Sequence, residues 1–136
     1  MIFTLLLFAL TDLTSVHFFK NVFERLRPCH NPDIMDKIHL VRGHCGGKYG
    51  FVSSHAVNTF GLGVLMSLVF KEKWLTIFML CWASIVSYSR IYLGVHYPFD
   101  VIVGAAWGSI LAYGIYRGYR YAVCRFGNAD YKSALP

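Results

Sequence analysis

The chain has 136 residues, of which 56% are hydrophobic, 17% aromatic and only 15% charged, with mean hydropathy +0.47 and a formal net charge of +6. Ordinary globular chains carry about 25% charged residues, so this composition excludes a disordered chain, and four cysteines are too few for a disulfide-dense miniprotein. A single soluble domain of this size cannot hide so many apolar side chains, which leaves a bilayer as the solvent.

Taken in order, the first apolar run is Met1 to Phe19. No basic segment precedes it, so it reads as a signal anchor or as an internal piece of a longer protein rather than as a cleaved leader. Lys20 and Arg27 follow, seven residues apart, and Pro28 ends the helix there. Helix 1 is therefore predicted over 1–27, with both cations on one face about 10 Å apart along the axis. Snorkelling to the interface and binding of an anion are both open for that pair. Asp12 and His17 in the same run are expected inside the bundle, near Lys20.

A polar outer loop, 28–53, comes next and is too long for a simple turn. Ile34, Ile38 and Val41 recur in it at helical spacing and predict a short interfacial helix. Cys29-His30 and His44-Cys45 leave three states open: a zinc site, a disulfide or free thiols.

Helix 2 is predicted over 54–70. Ser53-Ser54-His55 opens it, with a serine suited to the N-cap and an imidazole beside the free N–H groups of a helix start. Lys71-Glu72-Lys73 makes a tight charged turn into helix 3, 74–92, which ends at Ser89-Arg90 and the residues after it. Helix 4, 98–119, carries Pro98 in its first turn. Four residues separate His96 from Asp100, so the carboxylate can reach the imidazole, fix its tautomer and leave the other ring nitrogen free to attack. Asp100 also has a plainer use as a dipole partner at a helix start. Gly104-x3-Gly108 permits close helix packing, within the bundle or between chains. The remainder, 120–136, is predicted as a cytoplasmic tail.

Four spans put both termini on one side, together with Lys71, Lys73, Arg117, Arg120, Arg125 and Lys132. The other side carries seven cations against these six: Lys20, Arg25, Arg27, Lys37, Arg42, Lys48 and Arg90. The positive-inside rule is thus undecided by count, and the outer set is expected to be held there for chemistry. The fold class is an all-α transmembrane bundle of about four helices forming one membrane-embedded domain, 1–136. Its topology sends Lys20, Arg27, Ser53, His55, Arg90, His96 and Asp100 to one face. With the basic residues split between two faces, no continuous groove for nucleic acid forms.

Lys20-x6-Arg27-Pro28, then Ser53-Ser54-His55, then Ser89-Arg90-x5-His96-x3-Asp100 resembles the three-part signature of the type 2 phosphatidic acid phosphatase superfamily. That group also includes vanadium haloperoxidases and bacterial acid phosphatases. The second part departs from the family's Pro-Ser-Gly-His, reading Val52-Ser53-Ser54-His55. The resemblance implies that His96 attacks phosphorus, Asp100 orients it, and His55 protonates the leaving oxygen. It implies that Lys20, Arg27, Arg90, Ser53 and Ser54 hold the phosphate, without a metal or other cofactor. By the family's usual six helices, the first two are expected to be missing here. The implied function is a lipid phosphatase acting on an isoprenyl diphosphate, phosphatidylglycerophosphate or lipid A type substrate. Its implied place is a bacterial inner membrane, with the site facing the periplasm or outer side. A phosphotransferase with the same phosphohistidine, and a non-catalytic anion-binding membrane fragment, are the alternatives. The partners implied are the lipid substrate and membrane lipids; a homodimer and an association with the missing helices are both open.

Overall fold

The computed structural model describes residues 2–38, 40 and 45–126. The described chain is helical, in four main helices. Helix α1 is Ile2–Thr14, continued by a wider π-helical stretch, Ser15–Lys20, and one last turn, Asn21–Phe23. Helix α2 is Ser54–Phe70, α3 is Lys73–Tyr92 and α4 is Pro98–Phe126. Three segments are long and apolar enough to cross a membrane: Phe3–Phe23, Lys73–Tyr92 and Pro98–Phe126. Helix α2 is shorter, 17 residues or about 26 Å, and its first turn begins inside the site described below. The chain is an integral membrane protein.

On α1, α3 and α4 one stripe turns inward while the outer face stays exposed, as lipid-facing surface requires; α2 is buried or half-buried on most of its faces. On α1 the buried stripe is Leu7, Thr11 and Ser15, at successive helical turns. On α4 it is Val101, Gly104, Gly108, Ala112 and Tyr116. Helix α2 lies at the centre, against α4, α3 and α1. Trp107 Nε1 of α4 donates to Thr14 Oγ1 of α1 at 3.0 Å and ties the outer pair together.

Gly104-x3-Gly108 serves this packing within the chain. A β-carbon at Gly104 would lie 2.9 Å from the Ser53 carbonyl oxygen, and one at Gly108 would strike the Val57 carbonyl. By contrast, a β-carbon at Gly114 meets nothing within 4 Å. Gly108→Ala is therefore expected to destabilise the bundle by at least about 1–3 kcal/mol through overpacking. Gly114→Ala is expected to be neutral or slightly stabilising, since alanine favours helix over glycine. Thermal unfolding of both variants in detergent checks the pair; equal midpoints would remove the close-approach account.

Three sequence expectations change. The first helix ends at Phe23, not at residue 27, because Glu24 takes a left-handed conformation (φ 42, ψ 27). Arg27 is then extended (φ −64, ψ 154), as the residue before a proline prefers, so Lys20 and Arg27 do not share a helix face. Helix α4 continues to Phe126, so the tail expected from residue 120 starts as helix. Asp12 and His17 are exposed, and Asp12 Oδ1 accepts from Asn58 Nδ2 at 3.3 Å. In the outer loop the described residues form two 3₁₀ turns, Pro28–His30 and Met35–Lys37. Val41, the last member of the helical pattern there, lies outside the described residues, as do Arg42, His44 and Lys132.

Candidate active site

The short link between α3 and α4 fixes the first group. Leu93 caps α3, and Gly94 turns the chain with φ +67, which costs glycine little. Val95 N–H then returns to the Arg90 carbonyl at 3.2 Å. That turn places His96 just ahead of α4, almost fully buried at 3% exposure. Asp100, in the first turn of α4, has no exposed surface. Its Oδ2 accepts the Tyr97 N–H at 3.0 Å and stands 3.6 Å from His96 Nδ1, slightly beyond hydrogen-bond length.

On the other side of the ring, Arg27 Nη1 lies 3.4 Å from His96 Nε2. With a guanidinium donor there, the ring proton belongs on Nδ1 facing Asp100, and the Nε2 lone pair faces the cations. Burial pushes the His96 imidazole below its ordinary range. The Asp100 contact opposes this, and the charges of Arg27 and Lys20 add to it.

Arg27 reaches His96 because its backbone has left the helix. Arg25 to Arg27 forms a short extended segment, with Leu26 in an isolated antiparallel bridge to Tyr49. Gly50 N–H donates to the Arg25 carbonyl at 2.9 Å, and Arg27 N–H to the Lys48 carbonyl at 3.1 Å. Alternate residues of an extended chain share a face, so Arg25 and Arg27 turn the same way. Gly50 makes room for Arg27: a β-carbon there would fall 2.9 Å from Arg27 Cγ.

Arg27, His55, Arg90 and His96 line one half-open cavity of about 230 Å³, together with Cys45, Gly46, Leu93 and Val95. The charges of Arg90, Arg27 and Lys20 all act on His55. Lys20 and Ser54 pair with each other, Lys20 Nζ donating to Ser54 Oγ at 2.8 Å, with Ser15 Oγ 3.4 Å away. Ser53 is fully buried, with no hydrogen-bond partner on its hydroxyl. Its N–H donates to the Asp100 carbonyl at 3.1 Å, which locks the entry of α2 to the start of α4. Helix α2 has no side-chain cap, so the N–H groups of its first turn are available to an anion. The cavity thus joins two imidazoles, two guanidiniums and a helix start, with Lys20 behind.

Of the three states open for the loop cysteines the structure has the disulfide, and one further contributor escapes a reading of spacing alone. Cys29 and Cys45 form a disulfide, which takes both sulfurs out of the zinc alternative and draws the Arg27 segment to the cavity wall at Cys45-Gly46. His30 Nδ1 lies 3.0 Å from Cys45 Sγ in the same cluster. Arg25 is the contributor that spacing misses; its Nη1 donates to Asp100 Oδ1 at 3.0 Å. Only the alternation of an extended strand marks it, and the sequence up to Arg27 reads as helix.

The family model for the PAP2 superfamily matches residues 1–124. The chain is 42% identical over 119 residues to a lipid A 4'-phosphatase of Porphyromonas gingivalis, covering 88% of this chain and 50% of that protein. A lipid A 4'-phosphatase of Bacteroides thetaiotaomicron is 45% identical over 93 residues, 67% of this chain and 41% of that protein. An undecaprenyl-diphosphatase of Sulfolobus acidocaldarius is 40% identical over 65 residues, 48% of this chain and 31% of that protein. The chain thus spans about half the length, or less, of the curated relatives it matches. No solved structure matches it significantly.

Proposed function

The chain belongs to the PAP2 superfamily, and from that premise we propose that it is a membrane lipid phosphatase working through a phosphohistidine on His96. The observation that carries this reading is the His96 ring itself. Its Nδ1 side meets a buried carboxylate and its Nε2 side meets a cation-lined cavity shared with His55. Anion binding alone needs the cations; it has no use for a buried imidazole backed by an aspartate.

The reaction balances as follows. The His96 Nε2 lone pair forms the N–P bond while the bond from phosphorus to the leaving oxygen breaks. His55 gives that oxygen its proton. His55 then takes a proton from water, whose oxygen attacks phosphorus, and the N–P bond breaks to release inorganic phosphate. Arg27 and Arg90 hold the phosphoryl oxygens, with Lys20 and the Ser53-Ser54 start of α2 completing the charge field. Asp100 positions His96. No step requires a metal.

The substrate class is a lipid phosphate or diphosphate. The names of the relatives support a lipid A type phosphate first and a prenyl diphosphate second. Apolar outer faces on α1, α3 and α4 let the substrate's tail remain in the bilayer. The proposed placement is a bacterial inner membrane with the cavity at the periplasmic face, and 1–136 as one phosphatase domain.

The test is phosphate release by the full chain in detergent, with EDTA present, from a lipid A monophosphate and from a short-chain prenyl diphosphate. Release from either, undiminished by EDTA, is expected. Absence of release from both would remove the phosphatase reading. Label recovered on an added acceptor instead of as free phosphate would reassign the chain as a phosphotransferase.

A further inference from the structure

We propose that Arg25 is a positioning residue for the His96–Asp100 pair, holding the carboxylate from behind and balancing its charge. This rests on the reading of His96 as the nucleophile and adds a fourth member to the line Arg25–Asp100–His96–phosphorus. Arg25 belongs to none of the three signature segments' named positions; the contacts alone bring it in.

Asp100 is a carboxylate with no exposed surface, and its two oxygens are divided. Oδ1 accepts from Arg25 Nη1 at 3.0 Å; Oδ2 accepts the Tyr97 N–H at 3.0 Å and faces His96 Nδ1 at 3.6 Å. Arg25 thereby sets the rotation of the carboxylate, and the rotation sets how Oδ2 meets the imidazole. The guanidinium is itself held. It lies over the Tyr97 ring, 4.3 Å from the centroid, and the Tyr97 hydroxyl accepts from Asn31 Nδ2 at 3.1 Å. Below it, the Arg25 carbonyl is fixed by Gly50 N–H. A planar fork stacked on a ring holds a carboxylate's orientation in a way a lysine ammonium cannot.

There is also a charge consequence. The charged groups acting on His96 are Lys20 at the end of the π-helical stretch, Arg27 from the extended segment and Asp100 from α4, while His55 from α2 and Arg90 from α3 share its cavity. Asp100 is the single anion among them. Arg25 sits on its far oxygen and offsets part of its field. Without Arg25, more of the carboxylate's field reaches His96, and the imidazole keeps its proton to higher pH. A protonated His96 has no lone pair on Nε2 for phosphorus.

The experiment compares wild type, Arg25→Gln and Arg25→Lys, each purified in detergent, by an NMR titration of the His96 ring and by the pH profile of phosphate release. In Arg25→Gln the His96 midpoint is expected to rise by about half a unit to one unit. The acid limb of kcat/KM should move up with it, and kcat should fall about ten- to a hundredfold, as when an outer partner of a ligating histidine is lost. Arg25→Lys keeps the charge, so its midpoint should stay within about 0.2 unit of wild type while kcat is only partly restored. A purely structural role would lower the folded fraction and leave the midpoint of the folded molecules unmoved. An unchanged His96 midpoint in Arg25→Gln overturns the proposal. The ring titration reads that result without any turnover, so it stays separate from the outcome that wild type releases no phosphate, which would count against the phosphatase reading instead.

Discussion

Replacement of His96 by Ala is expected to abolish phosphate release, by at least about 10³-fold, while leaving the bundle folded. The size follows from the role. An acid, a base or a cation lowers a barrier that still exists without it, but a covalent intermediate has no route once its nucleophile is gone. The folding claim follows from the surroundings. Asp100 keeps Arg25 and the Tyr97 N–H as partners when the imidazole is removed, so no buried carboxylate is left bare. A quenched reaction with labelled substrate should show an acid-labile, alkali-stable phosphoryl group on wild type and none on the variant. Equal turnover in the two proteins would end the phosphohistidine assignment. In wild type, the acid limb of kcat/KM should lie below about pH 6.5, the ordinary imidazole value. Burial and the neighbouring cations hold the ring neutral to lower pH, and neutral is the nucleophilic form.

How far the site could be read from residues alone depends on how locally each piece is encoded. Ser53 to His55 and Arg90 to Asp100 are short stretches whose geometry is set by a helix start, a helix end and one glycine turn. Spacing is enough for such pieces, and their meeting follows once neighbouring helices are antiparallel. Lys20 to Arg27 contains no glycine or proline, so nothing in the sequence stops the helix ahead of Pro28. The break at Glu24 has no residue signal, since a left-handed glutamate is rare; what stabilises it is the pairing of Leu26 with Tyr49, across the loop. The same long-range pairing delivers Arg25, and the Cys29–Cys45 disulfide delivers the Gly46 wall. Contacts closed through a loop carry no period, so nothing in a helical or alternating pattern announces them. The exposed Asp12 shows the converse: a polar residue in an apolar run points to the interior by chemistry, but the helix rotation set by Leu7, Thr11 and Ser15 turns it outward.

His55→Gln is expected to cost about 10²–10⁴-fold on an alkyl lipid phosphate, within the range for loss of a general acid. Its signature should depend on the leaving group, which separates His55 from the cations around it. An alkoxide is a poor leaving group and needs the proton that His55 supplies. A nitrophenolate leaves without one. With p-nitrophenyl phosphate, the first step should therefore survive in the variant. The second step should not, because water must lose a proton as it attacks and His55 is the base in reach. Phosphohistidine should accumulate, and the variant should release about one nitrophenolate per enzyme in a burst, then turn over slowly. Arg90→Gln, which removes a charge from the same cavity, should slow both substrates alike and give no burst, since the phosphoryl oxygens need their cation whatever group departs. Rapid-quench measurements on the two variants decide between the roles. A His55→Gln enzyme that loses as much on the aryl ester as on the lipid, with no burst, would show that His55 binds phosphate rather than moving protons, and the division of labour between the two imidazoles would have to be redrawn.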